Sequence, residues 1–151
     1  MELKEVIVIL VTAALSTLGF SILFYVHPRR LALATMGGLL TTAVYLLAKQ
    51  LIGGELLPNL LGALAGAAFS EVCARLTKVP VPVYMVPCVI PLVPGSALYE
   101  AMFNMVAGHY SAAATAALTA LEVALGVSGG IVIASVFSLF FLHRKQKSPK
   151  C

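Results

Sequence analysis

Apolar stretches of near-bilayer length constrain this chain more than any other feature. A helix needs about 20 predominantly apolar residues to cross a hydrocarbon core of about 30 Å. Runs of that kind, each with few or no charges, cover residues 6–26, 31–48, 56–74, 81–107 and 111–142. The expected fold is an all-α integral membrane protein of about five transmembrane helices, with residues 1–151 as a single membrane domain. Composition points the same way: 60% of residues are hydrophobic, 11% are charged and the mean hydropathy is +1.00. Soluble domains average about 45–50% apolar and about 25% charged.

The N-terminal run opens with Glu2 and Glu5, lacks a small-residue cleavage site and is long for a signal peptide, so it reads as a retained first span. The formal charge of +4 does not signal nucleic acid, because the ten Lys and Arg sit at the ends of apolar runs and not on one aromatic-studded face. Basic residues so placed mark cytoplasmic loops. Putting Arg29 and Arg30 inside also puts Arg75, Lys78, Arg144, Lys145, Lys147 and Lys150 inside, against Lys4 and Lys49 outside. The expected protein is a multi-pass protein of the cytoplasmic (inner) membrane, N-terminus outside and C-terminus inside. Residues 111–142 would extend about 48 Å at about 1.5 Å per residue, so the last span must tilt, start above the membrane or bend, with Gly126 or Gly129-Gly130 as the natural hinge.

The fourth run is irregular. Pro80, Pro82, Pro87, Pro91 and Pro94 each remove a backbone donor and oppose helix continuation. Broken backbone at membrane depth is tolerated where protein or a wet cavity satisfies it, so this stretch is expected to face the interior. After Pro94, Gly95 to Met105 reads as helix, with Ser96 as its N-cap. A half-helix starting inside the membrane offers free N–H groups and a positive dipole end to an anion such as a carboxylate. Ser96, Glu100 and Asn104 recur every four residues on one face, and Tyr99 adds a phenolic donor beside them. The substrate-binding set read from this stretch is Pro91, Pro94, Gly95, Ser96, Tyr99, Glu100 and Asn104. Glu100 is also open to a proton-coupling role, or to a place at the outer interface with the prolines merely shaping the fold.

Glu71 and Arg75, four apart in the favoured order, read either as a structural ion pair or as a gate, and Glu122 as a surface or cavity carboxylate. Gly62, Gly66 and Ser70, like Gly126 and Gly130, form small faces suited to close helix packing. Pro28, Arg29 and Arg30 read as the stop of the first helix and a topology anchor, or else as residues that touch the substrate directly. His27, His109 and His143 are isolated, and Cys73, Cys88 and Cys151 form no C-x-x-C pair, so neither a metal site nor any cofactor is expected. No Gly-x-Ser-x-Gly, His-Glu-x-x-His or Walker motif is present, which argues against an enzyme.

The run Val89-Ile-Pro-Leu-Val-Pro-Gly-Ser-Ala-Leu-Tyr-Glu-Ala-Met102 resembles the signature of the threonine/serine exporter (ThrE) superfamily, especially its small YjjB-like subunit. Leu18-Gly-Phe20, the Pro28-Arg-Arg-Leu-Ala-Leu33 turn and the Gly-rich third run add to the likeness. The resemblance implies a secondary exporter of small carboxylate-bearing metabolites, threonine and serine or, in some two-subunit members, succinate. It also implies a larger ThrE/YjjP-like partner subunit carrying the other half, in inverted orientation. Pro91, Pro94, Gly95 and Tyr99 match the family pattern, whereas Glu100 stands where some members have an uncharged residue. Two other readings are a non-transporting membrane scaffold for such a partner, and a homo-oligomeric carrier or channel.

Overall fold

In hydrocarbon a chain must satisfy its own backbone hydrogen bonds, and a helix does this within a single segment. In the computed structural model, which describes residues 3–24 and 26–146, the apolar runs form α1 (Leu3–Leu23), α2 (Pro28–Ile52), α3 (Leu56–Thr77), α4 (Pro82–Val89), α5 (Gly95–Val106) and α6 (Tyr110–Gln146). A 3₁₀ turn at Ile90–Leu92 lies between α4 and α5, and no strand occurs among the described residues. α1, α2, α3 and α6 are each long and apolar enough to cross a membrane. The segments Pro82–Leu92 and Gly95–Val106, bent by 50°, are together long and apolar enough to form either a fifth, broken span or a re-entrant loop. The fold is the expected all-α membrane class. Glu2, Lys147, Lys150 and Cys151 lie outside the described residues.

Helix ends follow local chemistry. α1 stops at Leu23, and the Val26 N–H closes the turn by donating to Ser21 O at 3.0 Å. Pro28 opens α2, where a missing N–H breaks no intrahelical bond. α2 then runs past Ala48 to Ile52, because Lys49 in the last turn suits the carbonyl-rich end of a helix. Gly53 and Gly54 reverse the chain with φ of +71° and +69°. At the opposite end of the bundle Arg30 Nη2 donates to Thr77 O at 3.4 Å, so Arg30, Arg75 and Lys78 gather at one end.

Small residues let the helices approach. A Cβ on Gly38 would strike Thr17 Oγ1 of α1, and one on Gly66 would strike Thr41 Oγ1 of α2. Thr17, Thr41 and Ser70 are buried, and each hydroxyl donates to a carbonyl one turn back on its own helix, so the interface carries no unmatched donor from them. Gly37 admits Cys88 Sγ and the Phe69 ring in the same way. The small faces read from the sequence are thus packing faces: Gly62 and Gly66 meet α2, and Gly126 and Gly130 meet α3.

α6 runs through Gly126 and Gly129-Gly130 as a single helix. These glycines serve close approach, since Cβ atoms on Gly126 and Gly130 would collide with the carbonyl oxygens of Leu56 and Leu60. That register sets Gly126 beside the first turn of α3. Residues 110–125 therefore continue about 24 Å beyond it, at about 1.5 Å per residue. α5 packs chiefly on this overhang, and the two form a helical arm.

Candidate functional site

The bent α4–α5 segment divides into unlike halves. Tyr84, Pro87, Cys88, Val89 and Leu92 are buried against α2 and α3, as expected of irregular backbone at membrane depth. α5 departs from that expectation: only Ala101 is buried, while Leu98, Met102, Phe103 and Val106 are exposed. Beyond its first turn α5 packs chiefly on α6, which leaves these side chains uncovered by α2 and α3.

Val93 is extended (φ −64°, ψ 128°), Pro94 is the N-cap residue of α5, and no side chain caps the helix. Ser96 is therefore not the cap; it lies in the first helical turn, whose N–H groups have no partner within the helix. Ser96 and Ala97 line a cavity of about 150 Å³ with Pro91, Leu92, Pro94, Tyr45, Glu55, Asn59 and Val123. A cavity of about that volume admits a molecule the size of benzene. Gly95 is exposed, and a Cβ there would meet nothing within 4 Å.

Of the residues singled out in the sequence, Pro91, Pro94 and Ser96 are brought to this cavity. Tyr99 is 69% exposed and stacks on Phe103, with ring centroids 6.1 Å apart. Glu100 is exposed, and Asn104 Nδ2 donates to its backbone carbonyl at 2.9 Å. These three do not line the cavity. Glu122 is exposed on α6 beside the cavity residue Val123.

The remaining wall is a polar group that sequence reading did not assemble. Lys49 Nζ lies 2.8 Å from Glu55 Oε1 and donates to Tyr45 Oη at 2.9 Å. Tyr45 Oη donates to Glu55 Oε2 at 3.4 Å, and Asn59 Nδ2 donates to the Glu55 carbonyl at 2.7 Å. Asn59 is only 2% exposed. A signal was present, since Tyr45 and Lys49 are four apart, as are Glu55 and Asn59, and Gly-Gly separates the two pairs.

At the other end of α3 the expected pair forms: Arg75 Nη2 donates to Glu71 Oε2 at 3.1 Å and also to Ser138 Oγ on α6. Glu71 is 8% exposed. The pair borders a mostly apolar hollow of about 510 Å³ that includes Leu64, Val72, Ile133 and Phe137.

These features define a polytopic helical membrane protein with a discontinuous helix opening onto a polar cavity, an architecture used for solute binding in transporters. The chain belongs to the family described as Threonine/Serine exporter, ThrE, whose model matches residues 9–137. Its role is thus of the threonine/serine exporter type, in transport. No curated protein and no solved structure matches the chain.

Proposed function

We propose that the chain is the membrane subunit of a secondary exporter of small carboxylate-bearing metabolites, completed by a larger YjjP-like subunit. The solutes in view are threonine and serine, or a dicarboxylate such as succinate. The observation that carries this reading is the cavity at the α4–α5 break, where the first turn of α5 presents Ser96 and Ala97 to a polar wall from α2 and α3. Oriented N–H groups at a helix start bind carboxylates without a cation of their own. The gathering of Arg30, Arg75 and Lys78 at one end of the bundle supports an inside C-terminus and an outside N-terminus.

The arm supports the partner. Glu100 and Glu122 are exposed on largely apolar helices, and among the described residues neither has an ion-pair partner. A carboxylate so placed needs a polar surface from another chain or from water. In membrane vesicles from cells making both subunits, Ser96→Ala is expected to lower export about tenfold, the effect of losing one hydrogen bond to a charged group. The amount of assembled complex should stay unchanged, because Ser96 is exposed and caps nothing. Undiminished export would remove the α5 start from the site. Full export by the larger subunit alone would leave this chain a scaffold.

A further inference from the structure

We infer that the Lys49–Glu55 pair reads the charges of the solute and selects a zwitterion, an α-amino acid, over a dicarboxylate. This deepens the transport reading and rests on the cavity being part of the solute path. Glu55 is itself a cavity residue, and Lys49 is bound to two cavity residues, Glu55 and Tyr45. Both charged side chains are part-buried, at 37% and 27% exposure, where opposite charges act more strongly than in bulk water. Sharing the cavity with Glu55 is the first turn of α5 at Ser96 and Ala97, a region of positive partial charge.

A solute between these walls meets positive character from α5 and Lys49 and negative charge from Glu55. A dicarboxylate can satisfy the first, but its second carboxylate then lies against Glu55. An α-amino acid satisfies both. Its carboxylate goes to the α5 start or to Lys49, and its ammonium goes to Glu55 in place of the lysine. When the carboxylate goes to Lys49, one ionic contact is exchanged for two, so entry breaks the Lys49–Glu55 contact without stranding either charge, and departure restores it. Gly53 and Gly54, both at positive φ with open space around them, form the turn between the paired residues.

The competing structural role is a clamp: if the pair only fastens the α2–α3 turn, any opposite pair serves in its place. Lys49→Glu combined with Glu55→Lys separates the two roles, because it keeps the clamp and reverses the field. In vesicles from cells with the native gene context, labelled threonine or serine should be exported by the wild type, and about a hundredfold excess of succinate should not compete. Glu55→Gln should raise the amino-acid KM about tenfold, the effect of losing a charged hydrogen bond, and should admit succinate as a competitor. The swapped variant should match the wild type in thermal stability and assembly yet keep the raised KM. Recovery of the wild-type KM in the swap, or an unchanged solute preference in Glu55→Gln, overturns the inference. Chain-dependent, Ser96-sensitive export of succinate by the wild type overturns it while leaving the transport reading intact. Equal flux with and without this chain overturns both.

Discussion

Gly130→Leu is expected to leave little folded protein. A side chain at this position on α6 is directed at the carbonyl oxygen of Leu60, with Ala63 Cβ only 2.9 Å away. The obstacle is helix backbone, which cannot rotate aside as a flexible side chain can. The two helices must separate, and the close contact that replaces a hydrophobic driving force between membrane helices is lost along the seam. Overpacking usually costs about 1–3 kcal/mol, and here, with no side chain able to yield, the cost should exceed about 3 kcal/mol. Gly126→Leu should behave alike, since its neighbour is the Leu56 carbonyl. Gly129 supplies the control. A Cβ there lies 3.6 Å from Leu60 Cδ1, an ordinary contact, so Gly129→Ala should stay within about 0.5 kcal/mol of the parent. Monodisperse yield and thermal denaturation in detergent measure all three. Normal folding of Gly130→Leu would refute this register of α6 on α3.

The second large effect is expected from Arg75→Leu. Glu71 is 8% exposed and its carboxylate borders an apolar hollow, so removing Arg75 leaves a buried charge with its cation gone. Breaking such a pair from one side costs about 3–5 kcal/mol. The Arg75 side chain is 46% exposed, which favours the lower end, about 3 kcal/mol or a fall of about 6–12 °C in midpoint. Glu71→Met combined with Arg75→Leu should recover most of that loss, because replacing a whole ion pair with apolar groups is often neutral. Calorimetry or tryptophan-free thermal assays, such as light scattering in detergent, would read the difference. A double variant as unstable as Arg75→Leu alone would locate the loss in the Arg75–Ser138 link between α3 and α6 and not in the stranded carboxylate.

Much of the molecule was legible along the chain because its causes are local. Apolar length demands spanning helices, and five closely spaced prolines demand a break. The Glu71–Arg75 pair follows from four-residue spacing on one helix. The small faces at Gly62–Gly66 and Gly126–Gly130 announced close packing, but not which helix each would meet. The cavity was only half visible. Pro91, Pro94 and Ser96 belong to one stretch, whereas Tyr45, Glu55 and Asn59, with Lys49 bound to the first two, come from two other helices and their turn. Reading the run to end before Lys49 hid that lysine in a loop, when it lies in the last turn of α2 beside Tyr45.

The sequence by itself determined the solvent, the helical class, the place of the break and the i,i+4 ion pair, since each depends on residues within a few turns of one another. Tertiary structure alone decided the register of α6 on α3. The fold likewise leaves Tyr99 and Glu100 exposed on the arm while Ser96 lines the cavity. It also took the fold to join the α5 start with Lys49 and Glu55 into one site. The physical reason is that helix register and cross-helix contacts are set by where two surfaces can approach most closely, a property of pairs of helices that no single stretch of chain contains.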